Sequence, residues 1–270
     1  MTPPIRVNYD AIAHLYDGQP YRAKSPDPEL SAVIGEDTGT DTLSVLDIGC
    51  GTGNQLVADR AILRNARMVG LDRSLGMLRQ AQSKASEIAW VQADAAMLPF
   101  GAGSFDFITC QHAFHHVRGQ KAMLGEVLRV LRPSGRFVLH SLDPRDSPDW
   151  LYYQYFPDAH AVDLKDFWSP EQIMAVMETT GFVAATATQQ HLHFEQNLRD
   201  WLAVVQRRDT CSQLMAISDA AYAAGLRRLE QELADRSVPS IRRDHLCLVT
   251  IRGEKRTRLP ERQPNRRDHG

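Results

Sequence analysis

The chain is poor in cysteine: four residues in 270, Cys50, Cys110, Cys211 and Cys247, none within a C-x-x-C pair. That spacing argues against a disulfide frame and a structural zinc site, and fits the reduced thiols of a cytoplasmic protein. Long apolar runs are missing too. No stretch reaches membrane-spanning length, and the opening MTPPIRVNYD has no apolar signal core, so neither membrane insertion nor export is expected. An excess of one charge is also absent: 31 basic and 33 acidic residues leave a net charge of −2, which gives no electrostatic ground for a nucleic-acid partner. No internal repeat is visible. What remains is ordinary for a globular chain with a sizeable core, 43% hydrophobic and 24% charged, at a length that suits one α/β domain with insertions.

From residue 43 to about 190 strand and helix patterns alternate. LSVLDIG, ARMVGLD, IAWVQAD, FDFITCQ and RFVLHSL read as strands. NQLVADRAILRN, SLGMLRQAQSKASE and KAMLGEVLRVLR read as helices, with Ser74 capping the second and Pro133 and Gly135 ending the third. Such alternation predicts parallel βαβ units and a ligand at the strands' C-terminal ends. Residues 143–168, rich in aromatics and proline, read as an irregular segment or lid. SPEQIMAVMETTG follows as a helix with Ser169 at its cap, Pro170 at its first position and Gly181 past its end. FVAATATQ is a strand, 195–236 is helical, and HLCLVTIRG is a last strand. The division expected is one domain over 1–253: an N-terminal cap (1–40), a core (41–190), a helical insertion (191–240) and the last strand (241–253). Residues 254–270, with six basic side chains, read as a disordered tail.

The stretch SVLDIGCGTGNQ places Gly49, Gly51 and Gly53 directly behind the first strand. A G-x-G-x-x-G dinucleotide fingerprint needs its third glycine at 54, which is Asn54, and no G-K-[ST] follows, so a phosphate-binding loop is excluded. Asp47, two residues before Gly49, would repel a pyrophosphate but suits an ammonium or sulfonium group. The turn therefore favours a nucleoside-like cofactor without phosphates. Asp72 ends the second strand, 19 residues beyond Gly53, where α/β nucleotide folds place an acid for the ribose hydroxyls. Asp94 ends the third strand, positioned for the exocyclic amine of a base. Either aspartate alone could be a turn former; two at successive strand ends behind this turn argue for a site.

Together VLDIGCGTG, GLDRSLGMLRQAQ, QADAAMLPFGAGSFDFITCQHAFHHV and EVLRVLRPSGRFVL resemble the class I S-adenosylmethionine-dependent methyltransferases. The likeness is greatest to the small-molecule branch that includes ubiquinone/menaquinone methyltransferase-like enzymes, and it covers about residues 5–142. It implies a Rossmann-like, doubly wound seven-stranded sheet with the last strand antiparallel, a cap helix over NYDAIAHLYD, and S-adenosylmethionine as cofactor. Carried over, Gly49, Gly51 and Gly53 would allow close approach to the methionine part and Asp47 would lie near its amino group. Asp72 would hold the ribose, Arg73 and Met77 would flank the adenine, and Asp94 with the backbone at Ala95 would bind its amine. Cys110 and Gln111 would line the methyl side, and Tyr16 would cover the cofactor. RPSG stands where the family often has two glycines.

Methyl transfer from a sulfonium needs alignment, a dry site and sometimes a base, but no metal, and no metal ligands are assigned. Base candidates lie in QHAFHHV, where His112, His115 and His116 would share one helix face. His115 and His116 are preferred and His112 is expected to pack near the strand; a packing role for His115 or His116 also stays open. His191 and His193, on an expected strand, read as surface or rim residues. The acceptor is expected to be a small organic molecule with an O, N or C nucleophile, taken up by segments 144–170 and 191–240. Trp150, Tyr152, Tyr153, Tyr155 and Phe156 would form either its pocket or the packing of a lid. A cofactor-binding partner without catalysis is the alternative, and a nucleotide-dependent oxidoreductase is disfavoured by Asn54 and Asp47.

Overall fold

A computed structural model of the chain describes residues 7–18, 22–36, 42–63, 65–235, 237 and 239–257. Strands β1 (Ser44–Ile48), β2 (Arg67–Asp72), β3 (Ala89–Gln92), β4 (Phe105–Gln111), β5 (Leu131–Leu142), β6 (Phe182–Asn197) and β7 (Ile241–Lys255) form one sheet in the order β3-β2-β1-β4-β5-β7-β6. The first five pair in parallel, and β7 runs antiparallel between β5 and β6. β1 sits near the centre with all five residues buried, as a strand covered on both faces must be. This is the Rossmann-like sheet expected, with the last strand antiparallel.

Helices α1 (Tyr9–Ile12) and α2 (Pro28–Glu36) precede the sheet, and α3 (Asn54–Asp59), α4 (Leu75–Lys84) and α5 (Gln120–Val130) connect its parallel strands. The α4 start follows its sequence signal, the Ser74 hydroxyl accepting from the Met77 amide at 3.1 Å. α6 (Leu151–Tyr155), α7 (Pro157–Asp166) and α8 (Pro170–Thr180) lead into β6, and α9 (Leu198–Val205), α10 (Ser212–Met215) and α11 (Asp219–Ala234) link β6 to β7. On α8, Ser169 and Gln172 form a reciprocal capping box, and Gly181 ends the helix at φ 115°.

Three expectations are corrected here. Residues 143–168 are not irregular: they carry α6 and α7, and the aromatic side chains of α6 and of Phe156 between the two supply a burial drive. Tyr152, Tyr153, Tyr155 and Phe156 pack with Trp201, Leu214 and Leu229 into a small core of their own, apart from the core under the sheet. The insertion does not begin at 191, because β6 pairs with β7 through Asn197↔Ile241. The last strand does not stop at 253: Glu254 accepts from Arg136, and Lys255 donates to the carbonyls of Arg129 and Leu131. The tail expected from 254 therefore starts inside a strand, and residues 258–270 lie outside those described, as do 1–6, 19–21 and 37–41 of the cap and its junction. The described part of the cap is fastened to the core by polar contacts. Asp10 Oδ1 accepts from the Ser74 hydroxyl and the Gly76 amide, and Asp17 accepts from Thr52, Asn54 and Lys84.

Candidate active site

The C-terminal ends of β1, β2 and β4 open on a cavity of about 240 Å³ beneath the cap. Its floor is the glycine turn, with Gly49, Gly51 and Gly53 at φ 73°, 55° and 77°, a region that L side chains enter at a cost. The three glycines do different work. A Cβ on Gly49 would stand 2.3 Å from Ala113 Cβ, and one on Gly53 2.4 Å from the Trp90 ring. Gly51 has open space, its nearest neighbour the Tyr16 ring at 4.0 Å. Gly49 and Gly51 line the cavity, whereas Gly53 lies behind it and lets β3 pack close.

Asp72 projects from the end of β2 into the same cavity, its two oxygens accepting from the Gly51 and Ser74 amides at 2.8 Å each. Burial raises its carboxyl above the ordinary value, against the pull of those amides. Asp94 lines the opposite wall and accepts from the Ala96 amide at 2.8 Å. Both aspartates thus shape their own turns while facing the cavity, so turn former and site residue are not exclusive here. Tyr16, Arg73, Met77, Ala95 and Gln111 also line it.

Asp47 and Cys110 do not reach the cavity surface; both are buried behind it. Asp47 Oδ1 has no hydrogen-bond partner among the described residues. Burial, with Asp59 and Asp27 nearby, raises the Asp47 carboxyl well above its ordinary value. Burial likewise raises the Cys110 thiol, so it stays protonated. Beside Asp47, Asp27 accepts from Gln111 and His140, both at 3.1 Å, and its amide donates to Asp59.

The three histidines of the loop after β4 separate, because the loop is a turn and a single 3-10 turn (Phe114–His116) rather than a helix. His112, with φ 51°, turns its ring into the cavity instead of packing at the strand, which corrects the expectation for it. His115 does not face this cavity: its ring stacks on Phe167, with centroids 3.8 Å apart, and both ring nitrogens are buried without partners among the described residues. His116 lines the cavity, and its Nε2 is 2.7 Å from the Tyr9 hydroxyl. Burial, and then Arg73, lower its pKa to about 4.

A second cavity of about 230 Å³ lies on the far side of Tyr9 and His116, which line both cavities. The aromatic run at 150–156 lines neither; its rings are packing, so that reading of the acceptor pocket is set aside. His191 and His193 stand exposed on the β6–β7 ribbon, stacked around His245. The motifs gave no site role to Tyr9, Asp10, Ser74 or Arg118, all of which line the first cavity. Tyr9 had a usable signal, standing seven residues before Tyr16 in the same cap segment. No helix of the described residues is long and apolar enough to cross a membrane, and no group of three or more His, Cys, Asp or Glu among them could hold a metal ion.

Residues 46–139 match a family model described as a methyltransferase domain. A demethylmenaquinone methyltransferase of Thermus thermophilus is 28% identical over 165 residues, 51% of this chain and 73% of that one. Bacterial relatives of the same name are matched over 58% and 43% of their lengths. Among solved structures, a putative methyltransferase from an antibiotic biosynthesis pathway of Anabaena variabilis shares the fold with a TM-score of 0.65 at 19% identity. It is matched over 83% of this chain and 97% of that one. A phosphoethanolamine N-methyltransferase of Haemonchus contortus, solved with S-adenosyl-L-methionine, has a TM-score of 0.56 at 17% identity over 93% and 60%.

Proposed function

We infer that this chain, a class I S-adenosylmethionine-dependent methyltransferase, transfers the cofactor's methyl group to a small organic acceptor held beyond Tyr9 and His116. The observation that carries this reading is one cavity with the glycine turn as its floor and Asp72 and Asp94 on successive strand ends as its walls. The relatives' name makes a ring compound, a demethylmenaquinone, the first acceptor to assay.

The residues present fit the cofactor. The turn carries no phosphate-binding signature, and the free side of Gly51 is space that a Cβ would occupy. Buried Asp47 Oδ1 has an unfilled place for a donor close behind the turn, which suits an ammonium group reached through water. Asp72 keeps lone pairs beyond its two amide bonds for a pair of ribose hydroxyls. Asp94 and the Ala95 backbone stand for the adenine amine, Arg73 and Met77 for its faces, Gln111 for the methyl side, and Tyr16 above.

When bound, S-adenosylmethionine supplies a methyl group on a sulfonium already activated for transfer. His116 then has the place of a general base: it is neutral at physiological pH, it borders both cavities, and Tyr9 fixes its ring. With Tyr9 donating to Nε2, proton uptake by that nitrogen passes through the Tyr9 hydroxyl or follows its displacement by the acceptor. His115, walled off from the first cavity by His116, is assigned no proton transfer. The test is thermal melting with S-adenosylmethionine, S-adenosylhomocysteine and NAD. The first two should raise the midpoint; stabilisation by NAD alone would overturn the reading.

A further inference from the structure

The second cavity has unmatched hydrogen-bonding groups at its inner end and unpaired charge at its rim. Inside, Asp163 is 5% exposed. Its Oδ2 accepts from the Tyr153 hydroxyl at 2.7 Å and the Gln213 amide at 3.0 Å, and no donor among the described residues reaches Oδ1. No salt bridge among the described residues involves it, and burial pushes its carboxyl up to about 6. A buried carboxylate with only neutral donors on one oxygen is costly unless something completes its shell. The His115 imidazole, with both nitrogens buried and unpartnered, lines the same cavity. Trp168 offers an aromatic wall.

Around the rim, Arg73, Arg118 and Lys165 line the cavity and make no side-chain hydrogen bond or ion pair with another described residue. Asp166 is the acidic residue among them. This field opposes a cationic ligand approaching Asp163, so the donor that Oδ1 lacks is an uncharged hydroxyl. The same three cations suit a carboxylate at the ligand's outer end.

We propose that this second cavity is the acceptor site and that it takes an aromatic hydroxy acid, its hydroxyl donating to Asp163, its ring beside Trp168 and its carboxylate among Arg73, Arg118 and Lys165. Asp163 is then a specificity-determining residue. The assignment rests on the methyltransferase reading, since the cavity is placed as an acceptor site by the wall it shares with the cofactor cavity.

The experiment is binding to the S-adenosylhomocysteine-loaded chain, by calorimetry or ligand-observed NMR. The probes are 4-hydroxybenzoate, 4-methoxybenzoate, methyl 4-hydroxybenzoate and tyramine. The hydroxybenzoate should bind at least about 10-fold more tightly than each of the others, the loss expected for one hydrogen bond to a charged group. In Asp163→Asn the amide oxygen stays with Tyr153 and Gln213 and the NH₂ turns to the cavity, so the preference for hydroxyl over methoxy should vanish. Ala216 lines the second cavity only, and Ala216→Phe should abolish probe binding. Both variants should keep the wild-type affinity for S-adenosylhomocysteine, which shows that they fold. The proposal is overturned if no probe binds the loaded wild type, if tyramine binds tightest, or if either variant binds probes as the wild type does. Failure of S-adenosylhomocysteine to bind the wild type would instead bring down the methyltransferase reading, and the acceptor role with it.

Discussion

Replacing Asp72 by alanine should separate two jobs that one carboxylate performs. Without cofactor its oxygens hold the Gly51 and Ser74 amides at 2.8 Å each. Hydrogen bonds to a charged group are worth about 1.5–3 kcal/mol each. Two deductions apply: water can reach the freed amides at the cavity edge, and the variant no longer carries the burial cost that raises the Asp72 carboxyl. A net loss of about 2 kcal/mol follows, which for a chain of this size lowers the melting midpoint by about 4–8 °C. With cofactor bound, the same oxygens would also accept two ribose hydroxyls, so the dissociation constant should rise at least about 100-fold. Asp72→Asn, which keeps one acceptor oxygen, should fall between. Calorimetric titration with S-adenosylhomocysteine and a scanning melt on the same samples read both effects. A midpoint that falls while the affinity stays within about threefold would show that Asp72 only braces the turn, and the ribose assignment would be refuted.

His116→Gln should lower the methylation rate by about 10²–10⁴-fold with the S-adenosylhomocysteine affinity nearly intact, and His115→Gln, at a residue that lines the second cavity alone, should lower it far less; the reverse order in a radiolabelled methyl-transfer assay would refute the assignment of the base. Because burial holds His116 at about 4, it stays neutral well below the ordinary histidine range, so the acid limb of kcat/KM should fall near pH 4, and a limb near 6.5 would count against it. Asp59, with its carboxyl raised to about 6 by burial, binds its proton more tightly folded than unfolded, so its contribution to stability is present at low pH and is lost as pH rises toward 6. Asp59→Asn should therefore gain on the wild type over that window, by up to about 3 kcal/mol, and a pH-independent difference in denaturant melts would contradict this. Gly53→Ala should destabilise the fold, since its Cβ would stand 2.4 Å from Trp90 at φ 77°; an unchanged melting midpoint would show that β3 can move away.

The sequence by itself determined the sheet, the glycine turn, and the placing of Asp72 and Asp94, because each depends on neighbours close in the chain. A strand's side-chain period, a cap such as Ser74 and a turn that needs positive φ are local properties, and an acid at a strand end goes where the strand points. The same local logic failed in the loop after β4, where i, i+3, i+4 spacing suggested one shared face and a single 3-10 turn sent three histidines to three environments. It could not decide between pocket and packing for the aromatics at 150–156, since the deciding partners, Trp201 and Leu229, come from α9 and α11. Tertiary structure alone brought Tyr9 to His116 across 107 residues, and Asp163 to Gln213 across 50. It also left Asp47 Oδ1 and the His115 nitrogens buried without partners among the described residues. Whether a polar group is satisfied depends on every chain segment that closes over it, and no window of sequence contains that information.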